Sequence, residues 1–266
     1  MSSDSLMQSA SVPQIHAHID GAIGRLVIDN QPKKNALTFD MWASLPEQIG
    51  RLDADPDVRV IVVEGAGGKA FASGSDISQF GEKRNNAENV KLYNDNVDRA
   101  ISALASARKP TVARVRGYCF GGGVALALHC DLRYSSEDAT FCIPAGKVGV
   151  GYNELWLQRL GWMVGPSNAK EIMFTARRYG SAEAFRMGLV TRVLGEPDFD
   201  QIVADIAGLA PLTHEASKIA IDAGARGFDQ GRQASQDAIM RCFMSQDYVE
   251  GRDAFTAKRA PKFTGR

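Results

Sequence analysis

Arg116-Gly117-Tyr118-Cys119-Phe120-Gly121-Gly122-Gly123-Val124-Ala125-Leu126-Ala127-Leu128 sets three consecutive glycines at the head of an Ala/Leu-rich run. The run has the composition of a helix, and the β-branched stretch Pro110 to Val115 before it reads as a strand. The first-turn N–H groups of such a helix have no intrahelical partner and lie at its positive end. Backbone bare of side chains approaches a ligand closely, so the triplet marks a place where developing negative charge can be held. The plainer reading is that Gly121 to Gly123 only let a helix pack tightly on a sheet. A second turn, Lys69-Ala70-Phe71-Ala72-Ser73-Gly74-Ser75-Asp76-Ile77, has the same setting. It follows the nearly continuous β-branched run Val58 to Val63, the pattern of a strand covered on both faces.

Outward from these turns the chain alternates between the same two periods. Ile15, Ala17 and Ile19 alternate with His16, His18 and Asp20, run into Asp20-Gly21, and are followed by Leu26-Val27-Ile28, which predicts a β-hairpin. Asp29-Asn30-Gln31-Pro32 breaks that pattern. Thr38 then offers an N-cap for a helix with Trp42, Leu45, Ile49 and Leu52 at helical spacing. Leu132 to Tyr134 repeats the strand signal weakly. Strands separated by helical stretches imply parallel pairing with right-handed crossovers, an α/β class. From about Phe199 onward the segments are helical, Ile202 to Leu209 and Glu215 to Ala225 among them, with no strand expected. The expected organisation is a flexible tail at 1–13, an α/β core at 14–198 and a helical region at 199–266.

The 266 residues balance 31 Lys+Arg against 31 Asp+Glu, which argues against nucleic acid as the main partner. With 44% hydrophobic and 23% charged residues, disorder throughout is excluded. Cys119, Cys130, Cys142 and Cys242 have no metal-ligand spacing and read as reduced core thiols of a cytoplasmic protein. The opening MSSDSLMQSASVPQ lacks the regions of a secretory signal, and no apolar run approaches the roughly 18 residues of a membrane span. The nucleotide pattern GxxxxGK[ST], the GxGxxG fingerprint and the GxSxG elbow are all missing from the sequence. His129 and Asp131 are two apart and would diverge on a helix, so a core or cap role fits them better than a dyad.

Taken together, the segment AF-x-x-G-x-D at Ala70 to Asp76 and the segment G-x-x-x-GGG at Gly117 to Gly123 resemble the enoyl-CoA hydratase/isomerase (crotonase) family. The similarity continues through Cys130-Asp131-Leu132-Arg133-Tyr134, Ala139-Thr140-Phe141 and Gln158-Arg159-Leu160. It extends to Ala182-Glu183-Ala184 with Met187-Gly188-Leu189-Val190, and to Ala254-Phe255, Lys258-Arg259 and Phe263, so it covers the chain from about Ile15. The resemblance implies a spiral of ββα turns with a C-terminal helical region that builds trimers or dimers of trimers. It implies an acyl-CoA thioester substrate, with coenzyme A as part of that substrate and no separate cofactor or metal. The backbone N–H groups of Ser75 and Gly122 would form the family's oxyanion hole. Coenzyme A would lie along Lys33, Lys34, Ala36 and Leu37 and along Ala72, Asp76 and Ile77, with Phe255 and Lys258 supplied by a neighbouring subunit. On this reading the glycines do more than pack, and the basic stretch Lys258 to Lys262 is more than a solvated terminus.

The sequence departs from the family at the acid/base positions. Hydratases of the family carry one glutamate two residues after the glycine triplet and another after the proline of F-x-x-P-E; here those positions are Ala125 and Ala145. The Pro-Gly-x-Gly-Gly-Thr that usually follows is replaced by Tyr152-Asn153-Glu154-Leu155-Trp156-Leu157. A methyl group neither activates water nor protonates carbon, and a positioned acid or base contributes roughly 10²–10⁴-fold. Some relatives place a carboxylate further along, where this chain has Asn153. Its neighbour Glu154 is the leading candidate for the missing group, with Tyr152 second. The plainer roles are a solvent-facing glutamate at a helix start and a tyrosine packed in the wall. Asp76 is expected to fix its loop, and Tyr93, Asp95 and Asp98 lie on a helix that the sequence does not orient. Phe80, Trp156 and Trp162 either shape the acyl pocket or fill core. The expected activity stabilises a thioester enolate: double-bond isomerisation, decarboxylation, or a specialised hydration or lyase step. A classical hydratase using Glu154 and a catalytically silent acyl-CoA-binding homologue are the competing readings.

Overall fold

A computed structural model describes residues 12–226 and 231–266, so most of the expected tail at 1–13 lies outside the described residues. The period-2 stretch folds as the expected hairpin. β1 (Gln14–Asp20) and β2 (Ile23–Asp29) pair antiparallel around Gly21, whose φ of +58° suits the tight turn. Thr38 caps α1 (Phe39–Ala54) by accepting a hydrogen bond from the Met41 N–H, and the helix buries Trp42, Leu45, Ile49 and Leu52.

Three turns of a spiral follow, each a longer strand, a short strand and helix. The first is β3 (Val60–Gly65) and β4 (Ala70–Ala72), then α2 (Phe80–Lys83) and α3 (Ala87–Ala105). The second is β5 (Thr111–Val115), β6 (Tyr118–Phe120) and α4 (Gly122–His129). The third is β7 (Leu132–Ser135) and β8 (Thr140–Cys142), then α5 (Ala145–Val148), α6 (Glu154–Val164) and α7 (Pro166–Thr175). β9 (Tyr179–Gly180), α8 (Ser181–Arg186) and β10 (Arg192–Val193) complete the two sheets. The longer strands form one sheet in the order β1-β2-β3-β5-β7-β10, and the short ones a second in the order β4-β6-β8-β9. Outside the β1–β2 hairpin and the β8–β9 pair, the named strands pair in parallel, with an isolated antiparallel bridge between Ala70 and Gly117. This is the crotonase-like ββα arrangement.

β3 begins at Val60 rather than Val58, because the Val58 N–H closes a turn onto the Asp55 carbonyl. Its unbroken apolar run has a direct cause. Ile61 and Val63 face the main core with Trp42, Phe71 and Leu126, while Val60 and Val62 face a second cluster with Phe199 and Val203. Phe199 and Val203 belong to α9 (Glu196–Gly208), the first of four C-terminal helices; α10 (Pro211–Arg226), α11 (Arg232–Phe243) and α12 (Gln246–Thr256) follow. No strand follows Val193 among the described residues. No helix among them is long and apolar enough to cross a membrane.

His129 and Asp131 have structural roles. His129 is buried with its Nδ1 2.8 Å from the Ala125 carbonyl, and burial pushes its pKa down to about 4. Asp131 accepts from the Thr111 N–H and hydroxyl and from Lys218. Cys119, Cys130 and Cys142 are buried free thiols, and burial pushes all three pKa values up, that of Cys130 to about 12.

The small sheet positions the site. β4 and β6 are parallel neighbours and β8 lies beside β6, so the loops leaving their C-terminal ends gather at one edge. Crevices at that edge of parallel strands are where α/β folds bind ligands.

Candidate active site

Those three loops, Ser73–Ile77 after β4, Gly121–Gly122 after β6 and Ile143–Ala145 after β8, surround a cavity of about 130 Å³. Gly74 has φ +99°, and a Cβ there would fall 3.1 Å from the Phe120 carbonyl oxygen and 3.4 Å from the Gly122 nitrogen. A Cβ on Gly122 would meet Trp42 Cζ2 at 2.9 Å and the Ser75 nitrogen at 3.5 Å. The two turns therefore touch through bare backbone, which brings the Ser75 and Gly122 N–H groups side by side on the cavity wall. Neither N–H meets an acceptor among the described residues. Ser75 is held from three sides. The Leu37 N–H donates to the Gly74 carbonyl at 2.8 Å, the Asp76 N–H donates to the Leu37 carbonyl at 2.8 Å, and the Trp42 indole donates to the Ser75 hydroxyl at 3.3 Å.

The Tyr93 hydroxyl is buried behind Ser75 without a well-aligned hydrogen bond. Burial pushes its pKa up, against the opposing influence of the Ser75 and Trp42 side chains and the Arg84 charge. Tyr152 donates its hydroxyl to the Gly121 carbonyl at 2.9 Å, and the Ala125 N–H donates to the same oxygen at 3.1 Å. Burial drives the Tyr152 pKa far above the ordinary phenol value. Its ring lines the cavity, and its hydroxyl proton is directed to backbone in this structure.

Glu154 is the first residue of α6, exposed, and does not line the cavity. The reason lies one residue earlier. The Asn153 side chain caps α6 by accepting from the Leu155 N–H at 2.8 Å, and the helix then begins with Glu154 turned out to solvent. Asn153 uses its other end to donate to Asp98 Oδ1 at 3.0 Å. Asp98 itself lines the cavity, as do Asn94 and Val97 on the same face of α3. It is the one carboxylate on that wall among the described residues. Burial pushes its pKa up, and the neighbouring Asp95 charge adds to the shift. The sequence alone does not orient Asp98, although the spacing of Asn94, Val97 and Asp98 places them on one helix face.

Ala145 lines the cavity and Ala125 is buried close by on α4, so methyl groups stand where acids are expected. Phe80 and Trp156 line the cavity; Trp162 does not, and is exposed. Among the described residues no three His, Cys, Asp or Glu side chains are grouped to hold a metal ion.

The family described as enoyl-CoA hydratase/isomerase matches residues 18–266. The chain belongs to that family. The peroxisomal Delta(3,5)-Delta(2,4)-dienoyl-CoA isomerase of Arabidopsis thaliana is 33% identical over 94% of this chain and 95% of its own length. Crotonyl-CoA hydratase of Syntrophomonas wolfei is 33% identical over 88% of this chain and 92% of that protein. The crystal structure of an enoyl-CoA hydratase/carnithine racemase from Magnetospirillum magneticum superimposes with a TM-score of 0.89 at 34% identity, covering 96% of this chain and 97% of that one.

In this enoyl-CoA hydratase/isomerase family member the segments expected to meet coenzyme A form a continuous strip beside the cavity. The Ser73 N–H donates to the Lys34 carbonyl at 3.1 Å, and Leu37 bridges Ser75, so residues 34–37 and 73–76 are zipped together. Ala36, Leu37 and Ala72 are buried, and Ile77 is 59% exposed on the cavity rim. Lys33 Nζ donates to Asp76 Oδ2 at 2.8 Å and to the Ser78 hydroxyl at 2.9 Å. Burial alone would raise the Asp76 pKa, but the bonds from Lys33 and Ser78 prevail and hold it below its ordinary value. Asp76 also caps the turn Ile77–Gln79, the loop-fixing role expected of it. Lys34 lies with its ammonium 4.6 Å from the Tyr118 ring centre. Phe255, 87% exposed, and Lys258 stand at the end of α12 and do not line this chain's cavity.

Proposed function

We propose that this family member shifts a proton along a short acyl-CoA through a thioester enolate, in double-bond isomerisation. In this reading the Ser75 and Gly122 N–H groups hold the thioester oxygen. Asp98 takes a proton from one carbon, and the electron pair moves onto that oxygen. Protonated Asp98 then returns the proton to another carbon of the conjugated system, and the double bond has moved with no net gain or loss of atoms. Two fixed donors aimed where charge develops are worth about 2.7–4 kcal/mol of barrier each by the cost of removing one.

The observation that carries this reading is that, among the described residues, one carboxylate shares the cavity wall with the bare amide pair. Hydration needs both water activation and carbon protonation, whereas a proton shift is done by one group acting twice. An acid with its pKa raised by burial suits both halves of that task. The 130 Å³ cavity is far below the roughly 300–1,000 Å³ of drug-sized sites, which favours a short acyl end. Coenzyme A would extend along Lys33, Lys34, Ala36 and Leu37 and along Ala72, Asp76 and Ile77. We further assign the helical region at 199–266 to trimer or dimer-of-trimers assembly, which would bring Phe255 and Lys258 to a neighbour's coenzyme A. In support, Phe243, Met244 and Phe255 are all exposed there.

The test is turnover of short enoyl-CoAs that differ in double-bond position, by wild type, Asp98→Asn and Glu154→Gln. Isomerisation by wild type and Glu154→Gln, lost in Asp98→Asn, is the expected result. Isomerisation undiminished in Asp98→Asn removes Asp98 from the chemistry, and coenzyme A binding without turnover of any thioester would make the protein a binding homologue.

A further inference from the structure

The acyl side of the cavity contains a cation that the proton shift does not use. Arg84 follows α2 and lines the cavity together with Phe80, Val97 and Asp98. Its guanidinium carbon lies 4.4 Å from the centre of the Phe80 ring and 4.0 Å from that of Tyr93, in the corner of two rings set 79° apart. Its Nε is buried with no hydrogen-bond partner, and none of the ion pairs among the described residues involves Arg84. Asp98 shares the wall but makes its hydrogen bond to Asn153 instead.

An arginine stays charged at any accessible pH, and a half-buried, unpaired guanidinium is costly beside apolar side chains. Here two aromatic rings hold it in a corner without neutralising it. A planar guanidinium held in one orientation is the group that recognises a carboxylate bidentately. Arg84 belongs to neither segment of the zipped strip 34–37 and 73–76 expected to meet coenzyme A. It follows α2 and lines the cavity with Asn94, Val97 and Asp98 of α3.

We propose that Arg84 binds a second carboxylate at the far end of the acyl chain, so that the substrate class is a short dicarboxylic acyl-CoA. The inference rests on the reading of this cavity as the acyl site. It deepens that reading by naming what the acyl group must carry. A carboxylate there supplies the missing counter-charge, while the thioester end stays on the amide pair and the intervening carbons pass Asp98.

The test measures binding without turnover. Glutaryl-CoA and pentanoyl-CoA have the same carbon count, are saturated, and differ in ending with carboxylate or methyl. Titration calorimetry is done with both, and with coenzyme A alone, on wild type, Arg84→Met and Arg84→Lys, each checked for native circular dichroism. The expected result is glutaryl-CoA bound about tenfold or more tighter than pentanoyl-CoA by wild type. That preference disappears in Arg84→Met and is partly kept in Arg84→Lys, with coenzyme A unaffected. The inference is overturned if wild type shows no preference, or if the preference survives in Arg84→Met. It is also overturned if Arg84→Met weakens all three ligands alike, because the arginine then serves coenzyme A. Failure of the isomerase reading would appear as lost turnover and would leave these affinities legible.

Discussion

The Tyr152 hydroxyl and the Gly122 N–H act on opposite ends of one peptide unit. Tyr152 donates at 2.9 Å to the Gly121 carbonyl oxygen, and the nitrogen of that same peptide is the Gly122 N–H on the cavity wall. A planar peptide cannot turn one end without the other. A donor on the carbonyl therefore fixes the direction of the amide and polarises it toward a bound anion. On the proposed function, Tyr152 is a positioning residue for the amide pair.

Tyr152→Phe removes that donor and leaves the ring in place. A hydrogen bond of this kind is worth about 0.5–1.5 kcal/mol, so kcat should fall roughly 2- to 10-fold with KM nearly unchanged. The carbonyl stretch of a bound thioester should move toward its free value, a shift that a packing role alone would not produce.

Gly122→Ala should be far more severe. The added methyl would meet Trp42 Cζ2 at 2.9 Å, so the buried ring whose indole donates to the Ser75 hydroxyl must shift and the amide pair is disturbed with it. Loss of one donor predicts a fall in kcat of roughly 10²–10³, and overpacking costs about 1–3 kcal/mol of stability. Kinetics and thermal melting of the same preparation separate the two effects.

Asp98→Asn should trade activity for stability. The rate is expected to fall roughly 10²–10⁴-fold. Because burial raises its folded pKa, Asp98 destabilises the native state as pH rises through the ordinary carboxylate range toward that raised value. The variant should therefore melt higher than wild type at neutral pH, with the difference vanishing in acid. In wild type the acid limb of kcat/KM should lie above the ordinary aspartate range.

Asp76 works in the opposite sense. Its folded pKa is held down by Lys33 and Ser78 in spite of burial, so its stabilising effect is present above the ordinary carboxylate value and is lost as pH falls through the lowered one. Asp76→Asn should lower the melting temperature at neutral pH and converge with wild type in strong acid. It should also weaken coenzyme A binding, measured by calorimetry, by loosening the turn that Asp76 caps.

Phe255→Glu tests the assembly. Placing a charge at a side chain that is 87% exposed should leave the melting of an isolated chain nearly unchanged. If the C-terminal helices form the trimer interface, the variant should sediment as a smaller species and bind coenzyme A more weakly. Unchanged sedimentation would remove Phe255 from any interface.

Much of this was written into local pattern. The hairpin, the Thr38 cap, the doubly buried β3 and the helical run after Phe199 follow from side-chain periods and capping chemistry that involve only near neighbours. The glycines at 74 and 122 were equally legible, since a turn with φ +99° and a contact closer than a Cβ tolerates demand that residue type. Glu154 misled because a carboxylate near the expected place in the sequence says nothing of which way it faces. One capping bond from Asn153 turned it outward.

The order of residues was enough to establish the kind of fold and the identity of the two bare turns, because backbone propensity and glycine's steric freedom are local properties. Which side chains meet across the cavity was settled only by the packing of α2, α3 and α6 around the small sheet. There Asp98, Arg84 and Tyr152 converge from distant parts of the chain. Burial, counter-charge and hydrogen-bond commitment are properties of that assembled surface, so no period or motif along the chain could have expressed them.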